Sequence, residues 1–312
     1  MSITSMKSIH TPDRSALLID AQLRSDTALR QILLLELAIM ELNEACLIRQ
    51  HDMECLHDYR VALRRSRIVL TRIPAVFAAR DVQRFAAVLS RLGKLTGPCR
   101  DMDVLLQHWP DYALAADPGF QRVYDFIQQQ CNKSRSNIIE ELTSPDYVQF
   151  KNRWGAFLLQ QPAVTRMQNA KLPVSVLAGS TLDRVLHKLV KRLTSIKPSS
   201  SDRKLHTLRI ISKRLRYLLD YFSVPTAAAG YKNLMPELMK LQDSLGMAQD
   251  LYVQKTMIVS IEEEMLAAGL IQHDEHHALH AIKKVINKRS IRQRKQVMKS
   301  IRQFLSSDVL AS

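Results

Sequence analysis

Residues 56–70, LHDYRVALRRSRIVL, recur 149 residues later as residues 205–219, LHTLRIISKRLRYLL, with no gap between the two copies. His57, Arg60, Arg64 and Arg67 of the first copy stand opposite His206, Arg209, Lys213 and Arg216 of the second. At about 100° per residue, steps of 3, 7 and 10 from the histidine fall at about 300°, 340° and 280°, so the four groups share an arc of roughly 80° on an α-helix. Leu56, Tyr59, Leu63 and Leu70 occupy about 200–260°, immediately beside that arc. Each copy therefore reads as a helix with one flank for packing and one cationic stripe.

The rest of the chain reads as helix as well. Glycine is scarce, at 8 of 312 residues, strand-like alternation is nearly absent, and the long segments carry a 3.6-type period, so the expected class is all-α. The spacing predicts helices over 24–50, 53–72, 81–96, 101–108, 119–142, 146–160, 176–195, 202–222, 231–245, 249–268 and 275–305. Pro74, Pro98, Pro110, Pro118, Pro145, Pro198, Pro225 and Pro236 fall in or near the breaks. Residues 160–173 hold two prolines and weak periodicity, which places the junction between two helical halves there, 1–160 and 161–312.

A second block repeats at the same offset: Leu89, Arg91, Leu92, Gly97, Asp101 and Val104 match Leu238, Lys240, Leu241, Gly246, Asp250 and Val253. The expectation is that each glycine ends a helix and each aspartate caps the next, and that Ser201 or Asp202 caps the second stripe helix.

Formal charge is +15 with 46% hydrophobic residues, a basic globular chain rather than a disordered basic tail. The charge is uneven: residues 1–160 hold 20 Lys+Arg against 18 Asp+Glu, and residues 161–312 hold 25 against 12, so the halves carry +2 and +13 and the second dominates the long-range field. Cys46, Cys55, Cys99 and Cys131 form no Cys-x-x-Cys pair and no disulfide-scaffold spacing, which suits a reducing cytosol. Residues 1–15 lack the apolar segment of a signal peptide, and the stretch Ile32–Met40 is short and broken by Glu36, so neither export nor membrane spanning is expected.

Like charges on successive helical turns repel, so the stripes are unfavourable unless an anion occupies them. The first has Asp58 as an internal acid, and the second has none before Asp220. The competing reading is a solvated face with scattered ion pairs. Arginine offers a planar fork that matches phosphate oxygens, and charge-assisted hydrogen bonds contribute roughly 1.5–3 kcal/mol each. Histidine can donate to phosphate and gains charge near pH ~6.5.

The duplicated His-x-x-Arg-x-x-x-Arg/Lys-Arg-x-Arg helix followed by the Leu-x-x-x-x-Gly-x-x-x-Asp block resembles the CHAD domain, the conserved histidine α-helical domain, over about residues 20–305. The resemblance implies two tandem four-helix bundles related by a pseudo-twofold axis. It also implies a basic central pore that binds inorganic polyphosphate and a cytoplasmic protein associated with polyphosphate granules. Polyphosphate ligands implied by the pattern are His57, Arg60, Arg64 and Arg67 with His206, Arg209, Lys213 and Arg216, while Arg65 and Arg214 lie about 80° from the histidine and belong nearer the rim. Gln249 stands where the first block has Arg100, so the pore's two ends are expected to bind unequally. The triphosphate-tunnel domain that often accompanies this module has no counterpart here: no segment is β-rich and no Glu-x-Glu-x-Lys occurs.

A third basic element lies near the C-terminus. Lys284, Lys288, Arg292, Lys295, Lys299 and Arg302 fall within about 80° of one helix, either a solvated face or a longer phosphate track. His276 and His280, in the run 273–280, share a helical face at the i, i+4 spacing of metal ligands, but no third ligand is assured and the zincin glutamate is misplaced. Neither Walker-type loop nor Mg²⁺-holding carboxylates nor a Ser-His-Asp elbow accompanies the stripes. The expectation is binding without catalysis, with no metal and no cofactor. Aromatic residues are 6% of the chain and none interleaves the basic arc as a stacking platform, so nucleic acid is expected only as a competing polyanion. Granule-associated proteins are the other expected partners.

Overall fold

The computed structural model describes residues 14, 17–50, 52–112, 118–160, 167–222, 231 and 234–307. Apart from Arg14, the leader reading of 1–15 lies outside these residues, as do Pro225 and positions 161–166 of the junction read at 160–173. The described residues form α1 Ser25–Gln50, α2 Met53–Arg72, α3 Ala79–Leu95, α4 Gly97–Gln107, a 3₁₀ turn Trp109–Asp111, α5 Pro118–Thr143, α6 Pro145–Leu159, α7 Val174–Leu193, α8 Asp202–Phe222, α9 Leu234–Ala267 and α10 His273–Leu305. Among them the only bridged pair is the isolated Arg24–Pro173 contact, and the protein is all-helical.

Local chemistry explains the helix starts. Asp52 caps α2 by accepting from the Glu54 N–H at 2.9 Å, and Ser144 caps α6 ahead of Pro145, whose missing N–H is harmless at a first helical position. A reciprocal capping box of Gln272 and Glu275 opens α10. Asp202 opens α8, and its carboxylate takes Arg294 of α10 at 3.0 Å.

Two compact units emerge, Met1–Arg100 with Arg135–Leu177 and Asp101–Ser134 with Ala178–Ser312. They interleave along the chain, whereas the sequence repeat divides it in series. In the first unit α2 packs on α1 and α3, and α1 on α6. Phe85 fits against Trp154 and Phe157 with ring centres 4.5 and 5.0 Å apart, and Arg30 lies 4.8 Å over Phe157. Tyr59 of α2, fully buried, meets the Tyr147 hydroxyl at 3.0 Å, which donates to Glu44 at 2.8 Å, and Lys151 closes the chain at 2.7 Å. Burial pushes both tyrosine hydroxyls well above their ordinary value, so they remain donors and fix the rotation of α2 about its axis.

In the second unit α9 packs on α8 and α10. A core of Leu105, Trp109, Phe120, Ile258, Leu279 and Ile286, among others, fills the space beneath. Buried amides tie the helices together: Gln242 donates to the Ser212 carbonyl at 2.7 Å and Gln293 to the Ser244 carbonyl at 2.9 Å.

Two expectations give way. The helices read at 231–245 and 249–268 are one, because Gly246 keeps helical backbone angles inside α9 and only Gly269 among the described glycines has positive φ. A helical glycine costs about 1 kcal/mol but does not end a helix by itself. Cys46 and Cys55, whose spacing shows no disulfide signature and suits a reducing cytosol, form a disulfide across the α1–α2 hairpin, with Cα atoms 6.1 Å apart. Their spacing matches no linear motif; it is the antiparallel turn between two helices that brings them within bridging range. Cys99 and Cys131 are buried thiols outside any disulfide. Thiol titration of the denatured, unreduced protein should therefore detect two of the four cysteines, rising to four after reduction; four from the outset would contradict the pairing.

Candidate anion-binding site

The buried flank of α2, Leu56, Tyr59, Ala62, Leu63, Ser66 and Val69, turns the other side of the helix outward. On it His57 and Arg67 are exposed, and Arg60 and Arg64 are half-buried. Arg60, Arg64 and Arg67 line a cavity of about 240 Å³ with Ser90, Gly93 and Lys94 of α3. The Arg60 Nη1 donates to the Gly93 carbonyl at 3.0 Å and to Thr96 Oγ1 at 2.8 Å, and Arg67 Nη1 donates to Ser90 Oγ at 3.3 Å. These oxygens are neutral, so they aim the guanidinium groups without reducing their charge. Lys94, exposed, has no hydrogen-bond or ion-pair partner among the described residues.

Burial first, then Arg64 and Arg72, pulls the Arg67 guanidinium below its ordinary value. Desolvation is the larger cause and the like charges of Arg64 and Arg72 the smaller, and an anion in the cavity would oppose both. His57 lies beyond the cavity's lining, and Arg65, expected near the rim, is buried at 7% exposure.

The second copy is built the same way and furnished differently. On α8 His206 is exposed, and Arg209, Lys213, Arg214 and Arg216 are half-buried. A methyl added at Gly97 would meet the Arg60 Nη1 at 3.7 Å, and one added at Gly246 would meet the Arg209 Nη2 at 3.8 Å. The repeated glycine thus leaves room beside an arginine, and larger side chains would displace the guanidinium; Gly97 stands at the break between α3 and α4, whereas Gly246 lies inside α9 and ends no helix. Asp250, expected as a cap, lies inside α9 and accepts from Arg209 at 3.3 Å. Gln249, the departure from Arg100, places its Oε1 2.7 Å from His206 Nδ1. An amide oxygen only accepts, so in this contact Nδ1 is the donor, and Nε2 can donate to a phosphate only when the ring is doubly protonated.

Carrying the 149-residue offset through the second block sets Met239, Gln242 and Asp243 against Ser90, Gly93 and Lys94. The lysine is replaced by a carboxylate, and the glycine by an amide already committed to Ser212. Beside the stripe, the first copy is therefore the more cationic, opposite in order to the +2 and +13 of the chain halves. Ser90, Gly93 and Lys94 do not show in the repeat, because none of them matches its counterpart. The signal lay in the mismatches, above all Lys94 against Asp243.

On α10 the side chains of Lys284, Lys288, Arg292, Lys295, Lys299 and Arg302 are exposed and unpartnered among the described residues. Lys283, Arg289 and Arg294, on the rest of its circumference, pair with Glu262, Asp111 and Asp202. The six form a separate basic face of the second unit. His276 and His280 are exposed and join no group of three metal-type ligands among the described residues.

A family model described as CHAD domain matches residues 31–259. Among solved structures, the crystal structure of the CHAD domain from the plant Ricinus communis is similar at 24% identity and a TM-score of 0.79, over 96% of this chain and 97% of that one. PptA from Streptomyces chartreusis is similar at 11% identity and a TM-score of 0.60, over 89% and 99%. Both likenesses are of fold. No curated protein matches the chain in sequence.

Exchanging the mismatched residues tests the site. Lys94→Asp should weaken tripolyphosphate binding about tenfold at low ionic strength, and Asp243→Lys should strengthen it, both by calorimetry. Unchanged affinity in a folded Lys94→Asp variant would remove the α2–α3 cavity from the site.

Proposed function

The chain belongs to the CHAD domain family, and from that premise we propose that it binds inorganic polyphosphate without catalysing a reaction on it. The observation that carries this reading is the cavity where Arg60, Arg64, Arg67 and Lys94 converge. A chain of phosphates satisfies several such cations at once, and each charge-assisted hydrogen bond adds to the last. The second stripe and the basic face of α10 offer further contacts for the same ligand. The tandem four-helix bundles, their pseudo-twofold relation and a basic pore belong to the same proposal, as does a cytoplasmic setting at polyphosphate granules with granule-associated proteins nearby. No helix among the described residues is long and apolar enough to cross a membrane.

Two features favour polyphosphate over nucleic acid. The cavity is lined by no aromatic side chain on which a base could stack. Its cations are set one helical turn apart, which suits a ligand whose charges follow closely along one chain. Binding without chemistry is proposed because no carboxylate cluster suited to Mg²⁺ and no glycine-rich phosphate loop accompanies the stripes in the sequence.

Calorimetric titration with polyphosphates of several lengths, with and without divalent metal, tests this reading. Affinity should fall steeply with salt, as counterion release requires. Alanine at Arg60, Arg64, Arg209 and Arg216 together should abolish most binding while circular dichroism stays unchanged. Unaltered affinity in that folded variant, or displacement of long-chain polyphosphate by single-stranded nucleic acid at equal phosphate concentration and physiological salt, would contradict it.

A further inference from the structure

A different cavity, about 330 Å³, lies within the second unit where the Trp109–Asp111 turn, α9 and α10 converge. Its charges are nearly all committed. Arg289 pairs with Asp111 at 3.0 Å and stacks 5.2 Å over the Tyr112 ring, and His108 Nδ1 lies 3.3 Å from the same carboxylate. Arg289 first, and then His108, holds the Asp111 carboxyl below the usual carboxylate range. Asp250, also in the lining, is taken by Arg209 at 3.3 Å. Arg292 remains: it lines the cavity, is exposed, and has no partner among the described residues.

Two nearly buried amides are half satisfied. Gln254, 3% exposed, accepts from the Tyr112 hydroxyl at 2.8 Å, and its NH₂ group has no partner among the described residues. Gln293, 9% exposed, uses its Nε2 on Ser244, and its Oε1 has no partner among the described residues. Neither atom is fully buried, so each is open to a hydrogen-bonding partner that enters the cavity. One donor and one acceptor thus belong to a cavity whose apolar walls are Tyr112, Met247 and Leu251.

We propose that this cavity binds a nucleoside phosphate, with the base against Tyr112, Met247 and Leu251, its polar edge on Gln254 and Gln293, and phosphate on Arg292. A nucleobase carries hydrogen-bond acceptors and donors along one edge and flat apolar faces on either side. An inorganic phosphate chain has no apolar face, and an acyl chain has no polar edge. The volume falls within the usual range of small-molecule sites, about 300–1,000 Å³. This assignment rests on residues other than the first-unit cavity and stands whether or not polyphosphate binds there.

Titration of the full-length protein with ATP carrying a fluorescent N-methylanthraniloyl group on its ribose tests the site. Saturable binding is expected. Met247→Trp, a change at a 58% exposed position that fills the cavity wall, and Arg292→Ala should each weaken it about tenfold or more, with thermal unfolding unchanged. Tripolyphosphate at equal phosphate concentration should displace it only in part, by competing for Arg292, whereas unlabelled ATP should displace it fully. Absence of saturable binding, full affinity in both variants, or complete displacement by tripolyphosphate would overturn the proposal. Because tripolyphosphate binding by Met247→Trp should stay as in the unsubstituted protein, loss of the nucleotide site is distinguishable from loss of the phosphate site.

Discussion

Arg60, Arg64 and Arg67 repel one another across successive turns of one helix, and the first unit is organised to hold them in that position. Tyr59, next to Arg60, is locked to Tyr147 and through it to Glu44. That lock sets the rotation of α2, so the apolar flank stays inside and the cationic arc stays out. The Gly93 carbonyl, Thr96 and Ser90 then steer two of the guanidinium groups with neutral oxygens. Arg60 and Arg67 are oriented in this way, and a fixed orientation of its donors is what an anion site requires.

The duplicated second copy shows how far the same frame can be refitted. Gly246 leaves space beside Arg209 as Gly97 does beside Arg60, yet Asp243 and Gln242 stand where the first copy has Lys94 and Gly93. Net charge counted over half a chain is a long-range quantity, and it says little about a ligand touching four side chains. The surplus of the second half resides in part on the outward face of α10, where six cations lie without partners among the described residues.

Helix positions, the two stripes and the family were legible in the sequence because each depends on local periodicity or on motif spacing. The features that escaped depend on packing across elements. The continuity of α9 turns on a glycine whose neighbours favour helix, and linear rules overweight the glycine. The Cys46–Cys55 bridge follows from the α1–α2 hairpin and from no motif. Arg65 shares the basic run with Arg64 but sits about 100° further round the helix, enough to bury it. Lys94 belongs to a different helix altogether, and only the partner helix's approach makes it part of the cavity.

The central claim is that the α2–α3 cavity grips phosphate more strongly than its counterpart on α8. Diffraction from crystals soaked in tripolyphosphate at limiting concentration tests it directly. The account requires the first density to appear against Arg60, Arg64, Arg67 and Lys94. Density that fills first at Arg209, Lys213 and Arg216, or along α10 alone, would contradict it.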